Sequence, residues 1–342
     1  SNGGERLTLL DMNWRRVVEV DFSDGGAWPR LADGDGHSLE LIDLLADPGA
    51  ASNWASSAAK AGSPGQAGAG VGAPAVIINE VHVRSADGSE QDFIELRNLG
   101  QAEVDLEGWV LRDGGGNKFT LPKGASLGQA GLLGIWCGPG DADGIRADFG
   151  LGQGGDSVAL FDADGRRVDA VTFGRIHGSI IRANNGWTLG RPTFGTANQS
   201  VVLADTTALV INEWLAFPEE GGSDWIELYN PHSTAPALIT GLHIRVGQEI
   251  GGLNRIAAIP PRGHQRVRLD MKSGTYHVDL SLPTEGGTIT LITAEGIEFA
   301  TMNYKRQRAG VSEGLLPDGS AKRTKFTRGA TPGARNIVPD FD

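Results

Sequence analysis

The residues of this chain that could do chemistry fall into two matched sets. Residues 92–98 read D-F-I-E-L-R-N, and residues 224–230 read D-W-I-E-L-Y-N, 132 positions later (224 − 92). Each set follows an apolar run that ends in Asn-Glu, V-I-I-N-E at 76–80 and L-V-I-N-E at 209–213. Glu80, Asp92 and Glu95 in the first set, and Glu213, Asp224 and Glu227 in the second, are candidate ligands for a hard cation, which takes several carboxylate and carbonyl oxygens. The competing reading is structural. Asp, Asn and Glu side chains at strand ends bond turn backbone and hold neighbouring strands, because buried polar groups need partners with or without a metal. The structural reading is preferred, and no residue is assigned a catalytic or cofactor-binding role.

Three D-x-D-G stretches, at 33–36, 141–144 and 162–165, invite a calcium hypothesis. Each supplies only two carboxylates, and none is followed by the bidentate Glu that closes a twelve-residue calcium loop. Where 162–165 carries D-A-D-G, the aligned stretches read D-M-N-W at 11–14 and T-A-E-G at 293–296, which suits a hairpin turn better than a repeated ligand set. The G-A-G-V-G at 68–72 resembles a phosphate loop only superficially, since small-residue linker precedes it and a strand-like run follows. Histidines 232, 243, 264 and 277 lack metal-ligand spacing, and His82, between Val81 and Val83, reads as solvent-facing. There is no H-E-x-x-H, G-x-S-x-G or Walker loop. Cys137, the single cysteine, forms no intrachain disulfide and sits in L-L-G-I-W-C as a small apolar residue.

The elements that must position these residues are short strands. The chain has 342 residues and 51 glycines, with apolar runs of strand length separated by Asp-Gly and Gly-Gly. Strands are expected at 76–83, 93–98, 104–111, 117–121, 131–137, 156–161 and 167–173, with period-two alternation in V-D-L-E and V-D-A-V. In D-W-I-E-L-Y-N, Ile226 and Leu228 should enter the core while Trp225, Glu227 and Tyr229 face the other way. A net charge of −12 argues against a nucleic-acid binder, which needs excess cation to neutralise phosphates. No apolar run approaches the ~18 residues of a membrane span. Two basic clusters, K-R-Q-R at 305–308 and K-R-T-K at 322–325, read as a solvated rim or a docking site for an anionic polymer or acidic domain.

The pattern repeats. Gly-Gly-Asp at 154–156 aligns with Gly-Gly-Thr at 286–288, and P-T-F-G-T-A-N at 192–198 with A-T-P-G-A-R-N at 330–336. A partial copy stands in front: residues 2–22 align with 153–173 and close on G-S-P-G at 62–65. The expected organisation is therefore the C-terminal part of one repeat plus a Gly-rich linker over 1–70, full repeats over 75–198 and 207–336 joined by a connector at 199–206, and a tail at 337–342. In the front copy Leu7, Leu9, Val18 and Val20 read as a core face, with the turn at Asp11 to Asn13. Leu39, Leu41 and Ile42 read as a further strand. A hairpin alone buries too little to be stable. Preceding chain outside this sequence is the expected cover, ahead of another subunit or packing against the next repeat.

The succession N-E, D-[FW]-I-E-L-x-N, V-D-L-x-G-W-x-L-x-D, F-T-L-P and G-G-D-S-V-x-L-x-D-x-D-G-x-x-V-D-x-V-x-F-G resembles the bacterial lamin tail domain. The first full repeat is the closer match, because G-L-H-I at 241–244 replaces G-W-V-L at 108–111 in the second. The resemblance implies tandem immunoglobulin-like antiparallel β-sandwiches without an active site. It implies non-catalytic spacer, adhesion or docking modules of a larger extracellular or cell-envelope bacterial protein. Other domains or subunits would be partners through the front copy, and a protein or polysaccharide would be the ligand. The alternative is an accessory region of a secreted hydrolase or nuclease whose catalytic domain lies outside this chain.

Overall fold

The computed structural model describes residues 4–10, 16–23, 28–32, 34–42, 48–64, 76–84, 90–165, 167–176, 178–183, 186–270, 272, 274–327 and 329–337. The expected turn at Asp11 to Asn13, the G-A-G-V-G stretch and Asp33 lie outside them. Among the described residues every regular element is a strand or a three-residue 3-10 turn, the latter at Arg30–Ala32, Ala51–Asn53 and Thr206–Ala208. No helix among them is long and apolar enough to cross a membrane. The chain forms two compact units, Ser1–Leu7 with Glu19–Val201 and Thr8–Val18 with Val202–Asp342.

In the first unit one sheet runs Ile145–Ala147, Leu132–Cys137, Asp92–Asn98, Val76–Val83, Gly178–Ala183, Gly186–Arg191, Gln199–Ser200. The other runs Arg167–Gly174, Gly155–Phe161, Val110–Asp113, Lys118–Thr120. In the second unit the orders are His277–Val278, His264–Leu269, Asp224–Tyr229, Val210–Leu215, Ser312–Leu315, Arg323–Phe326, and Glu249–Leu253, Leu242–Val246, Gly286–Ile292, Glu298–Lys305. The two orders correspond strand for strand, with one extra edge strand in the first unit. Pairing is antiparallel except where Leu132–Cys137 meets Ile145–Ala147 and His264–Leu269 meets His277–Val278.

Alternation explains the cores. Ile78, Val81, Ile94, Leu96, Leu111, Val158 and Leu160 of the first unit are fully buried, as are Trp214, Ile226, Leu228, Ile244, Ile289 and Leu291 of the second. Each sheet presents one apolar face, and two such faces make an immunoglobulin-like sandwich. Cys137 is a buried member of this set, and burial pushes its thiol well above the usual range.

Several expectations are corrected. The run 104–111 is not one strand. Gly108 takes φ +79 and Trp109 N–H bonds Leu106 C=O, so the chain turns and gives Val104–Asp105 and Val110–Asp113. His82 is 1% exposed, not solvent-facing. Its strand lies inside the sheet, and the residues opposite it on the two neighbouring strands enclose it, Phe93 at 5.1 Å between ring centroids and Ser179 with its Oγ 3.2 Å from Nδ1. For the same reason Trp225, Glu227 and Tyr229, opposite the core pair Ile226 and Leu228, are also buried. The 162–165 stretch is a hairpin turn, but 141–144 belongs to a parallel connection, where Trp136 Nε1 donates to Asp143 C=O. Of the proposed front core face, Val20 is buried while Leu7 and Leu9 are 61% and 58% exposed. Among the described residues no second sheet covers them, since the strands Glu5–Leu10 and Arg16–Phe22 make a two-stranded sheet by themselves.

Candidate functional site

The two acidic phrases occupy the same place in the two sandwiches. In both, the Asn before the Glu is a β-bulge: register shifts between Ile78 and Glu80 against the Asp92–Asn98 strand, and between Ile211 and Glu213 against Asp224–Tyr229. A bulge leaves its residue unpaired and re-aims the side chains around it. The consequence is that Glu80 stands directly opposite Glu95, and Glu213 opposite Glu227, with all four fully buried.

What meets these carboxylates is the closing phrase of each repeat. In the first sandwich Glu80 accepts from Thr193 N–H at 3.1 Å and from Thr193 Oγ1, while Glu95 Oε2 accepts from Gly195 N–H at 2.7 Å. Asn79 Nδ2 donates to Glu95 Oε1 at 2.7 Å and to Asn198 Oδ1 at 2.9 Å, and Asn198 Nδ2 donates to Arg182 C=O at 2.9 Å. In the second sandwich Glu213 Oε2 accepts from Thr331 Oγ1 at 3.0 Å and Thr331 N–H at 3.2 Å, and Glu227 Oε2 from Gly333 N–H at 2.6 Å. Asn212 Nδ2 donates to Glu227 Oε1 at 2.9 Å, and Asn336 Nδ2 donates to Asn212 C=O at 3.2 Å and Leu315 C=O at 2.9 Å. Thr193, Gly195 and Asn198 thus match Thr331, Gly333 and Asn336. A T-x-G-x-x-N segment latches onto the bulged Asn-Glu and the central Glu of the phrase, tying the end of each sandwich to its first two strands.

The outer acids do separate work. Asp92 accepts from Arg84 N–H and Leu151 N–H, each at 2.8 Å, and Asp224 from Leu282 N–H at 2.7 Å. Both pin a distant loop to the start of the phrase. Asn98 and Asn230 cap turns, each donating to three backbone carbonyls and accepting from the N–H two residues on. No group of three or more His, Cys, Asp or Glu arranged to hold a metal occurs among the described residues.

Burial governs the electrostatics. It pushes Glu95 and Glu213 above the usual carboxylate range, against the hydrogen bonds they accept, and raises Glu227 to about 7. The second latch has an extension. Asp318 Oδ1 accepts from Asn212 Nδ2 at 3.1 Å and Asn336 N–H at 2.9 Å, and His264 Nε2 lies 3.2 Å from Asp318 Oδ2. His264 stacks on Tyr229, with its pKa held down by burial. His277 pairs with Asp270 and His232 accepts from Ala235 N–H, so the histidines of the second copy serve separate contacts. In the basic clusters Lys325 meets Glu313 at 3.4 Å, Arg306 meets Glu285 at 3.5 Å, and Arg323 lies over the Trp214 ring.

The first latch also carries a ring. Phe194 stacks on Trp136 with centroids 4.0 Å apart and planes 8° apart, and lies directly over Gly134. A Cβ at Gly134 would stand 2.3 Å from the Phe194 ring. The second sandwich has Arg266 opposite Glu227 where the first has Gly134 opposite Glu95, and Pro332 where the first has Phe194. Gly134→Ala is therefore expected to lift Phe194 off Trp136 and destabilise the first sandwich by about 1–3 kcal/mol, as overpacking does. Urea denaturation checks this, and an unchanged first-sandwich midpoint would contradict it.

Sequence reasoning placed the acids but missed their partners Thr193, Gly195, Asn198, Thr331, Gly333 and Asn336. The signal was present, because both closing phrases keep T-x-G-x-x-N at identical spacing. Residues 72–175 match the model of the family described as Lamin Tail Domain. No curated protein is significantly similar to the chain.

Proposed function

We propose that this chain, whose residues 72–175 are a lamin tail domain, works as tandem non-catalytic modules of a larger extracellular or cell-envelope bacterial protein. Lamin tail domains are immunoglobulin-like and non-enzymatic. The observation that carries the reading is the fate of the acids. Glu80, Glu95, Glu213 and Glu227 have the composition of a cation site, yet each is bonded to the closing segment of its own sandwich. Carboxylates committed to backbone and side-chain donors hold a fold shut, and exposed loops and edges are left for recognition. Two such units in series suit a spacer that presents docking surfaces to a protein or polysaccharide.

Two measurements test this. Millimolar Ca2+ or Zn2+ should leave the melting temperature of the chain unchanged, because a ligand stabilises only what binds it. A rise that Glu227→Gln abolishes would replace the latch by a metal site. Protease treatment of intact source cells should release fragments of the second sandwich. Their appearance only after lysis would remove the extracellular assignment.

A further inference from the structure

The two basic clusters of the second sandwich are separate in sequence and meet in the fold. K-R-Q-R begins at the end of Glu298–Lys305, an edge strand of one sheet. K-R-T-K opens Arg323–Phe326, an edge strand of the other. Arg323 spans the seam between those edges. Its Nη1 donates to Asn303 C=O at 2.6 Å, two residues before Lys305, and its guanidinium lies 5.6 Å from the centre of the Trp214 ring. Lys305, Arg306, Arg308, Lys322, Arg323 and Lys325 are all exposed. Arg306 meets Glu285 at 3.5 Å and Lys325 meets Glu313 at 3.4 Å. Among the described residues the side chains of Lys305, Arg308, Lys322 and Arg323 meet no carboxylate.

The first sandwich closes the same seam without these charges. Gly155 and Gly286 take φ +119 and +113, and a Cβ on either would stand 2.7 Å from a carbonyl oxygen, that of Phe173 or of Tyr304. These glycines are therefore equivalent. Gly155 pairs with Gly174 and Gly286 with Lys305, so Lys305 replaces Gly174. On the facing edge, Glu80 pairs with Ile181 and Glu213 with Gly314. One strand further out, that register sets Trp187 against Arg323 and Leu189 against Lys325. Trp187 and Leu189 are buried. An apolar pair in one sandwich is thus an exposed cationic pair in the other, at the same places in the same strands. The fold does not require the cations, and they gather on a chain of net charge −12.

We infer that this seam is a binding track for an acidic polysaccharide. The inference rests on the reading of the chain as a docking module and gives that module a ligand class. Arg323 and Lys325 stand about 7 Å apart on one edge, at two strand residues' rise. Lys305 lies across the seam, two residues from the carbonyl that Arg323 reaches. Like charges gathered in this way repel, and an anionic polymer laid along them relieves the repulsion. The rings beside the cations are Trp214 under Arg323, Tyr304 before Lys305 and Phe326 after Lys325, and all three are buried. These cations therefore bring no exposed ring to anchor a folded partner or to stack a nucleic-acid base. Charge along a line is what they offer, and a flexible chain of acidic sugars uses it.

The probe is polygalacturonate, titrated into the folded 342-residue chain at low ionic strength. Binding is expected, weakening about tenfold or more between about 20 and about 200 mM salt, as screening requires. The triple variant Lys305→Gln, Arg308→Gln, Lys322→Gln removes three exposed cations that meet no carboxylate and keeps Arg323 on Asn303. It should melt as the wild type does and bind about tenfold more weakly or worse. Lys118→Gln, Lys123→Gln, Arg191→Gln removes the same charge from exposed positions of the first sandwich and should bind as the wild type does. No binding by the wild type, equal binding by the first triple variant, or equal loss in both variants overturns the proposal. Tighter binding of polyglutamate or single-stranded DNA than of polygalacturonate overturns the choice of polysaccharide. Protease release from intact source cells is unaffected by any of these results, so the seam fails or stands separately from the extracellular reading.

Discussion

Asn336→Ala should unfold the second sandwich at a markedly lower denaturant concentration and leave the first where it was. The Asn336 amide nitrogen donates to two buried carbonyls, Asn212 at 3.2 Å and Leu315 at 2.9 Å, and its oxygen lies 2.8 Å from Thr331 Oγ1, whose one hydrogen it shares with Glu213. Alanine removes all three bonds and offers nothing in return. A buried polar group left unpaired costs about 1–3 kcal/mol, and neighbouring losses do not simply add, so the expected cost is about 3 kcal/mol. Thr331 also loses the partner that orients it toward Glu213, so the damage extends along the latch. Asn336→Asp keeps the acceptor for Thr331 but sets a carboxylate against two carbonyl oxygens, and should cost at least as much. Fluorescence of Trp214 and Trp225, both buried in the second sandwich, reports the transition during urea denaturation. A wild-type midpoint in the alanine variant would show that the closing segment is not a fastening.

That fastening marks the limit of what the sequence discloses. Period-two alternation located the strands, and repetition of D-[FW]-I-E-L located two copies of one architecture, because both signals are local. Ile226 and Leu228 lie in the core as alternation requires. His82 failed the same rule, since alternation assumes one wet face and this strand has none. Gly178–Ala183 and Gly186–Arg191 went unnoticed: S-I-I-R-A and W-T-L-G-R alternate weakly. The latch joins residues more than 100 positions apart, Glu80 with Thr193 and Glu213 with Thr331, and nothing local foretells such a pairing. What could have foretold it is the joint repetition of N-E, I-E and T-x-G-x-x-N, since segments that recur together at fixed spacing must share a structural reason. Sequence sets Gly154 against Gly286, one residue out of step with the folded chain. Gly154-Gly155 and Gly286-Gly287 look interchangeable as letters, and only the positive φ at Gly155 and Gly286 separates them.

The second large effect is on pH dependence, and Glu227→Gln isolates it. Burial raises Glu227 from its ordinary 4.5 to about 7, outweighing the bonds from Asn212 and Gly333, and Glu213 and Asp318 push the same way. Between those two values the folded chain holds a proton that the unfolded chain has released. Stability from this group is therefore greatest toward pH 4.5 and falls as pH rises to 7. Over 2.5 units (7 − 4.5) at 1.36 kcal/mol each, the ceiling is about 3 kcal/mol. Glu213 is raised as well and acts with the same sign. His264 acts with the opposite sign, because its folded value lies below 6.5 and its contribution is lost as pH falls through that point. The bare stability curve mixes these effects, but the difference between wild type and variant removes whatever they share. The substituted glutamine cannot ionise, and its single oxygen cannot accept from both Asn212 Nδ2 and Gly333 N–H, so the variant starts at a disadvantage in acid. From about pH 5 to pH 8 the wild type loses its proton and the variant does not. The stability difference should move by about 2–3 kcal/mol in the variant's favour over that range, read from the second-sandwich midpoint. Parallel curves would mean that Glu227 is ionised throughout, and that the two opposed carboxylates of the latch share their site as a pair of charges without a proton between them.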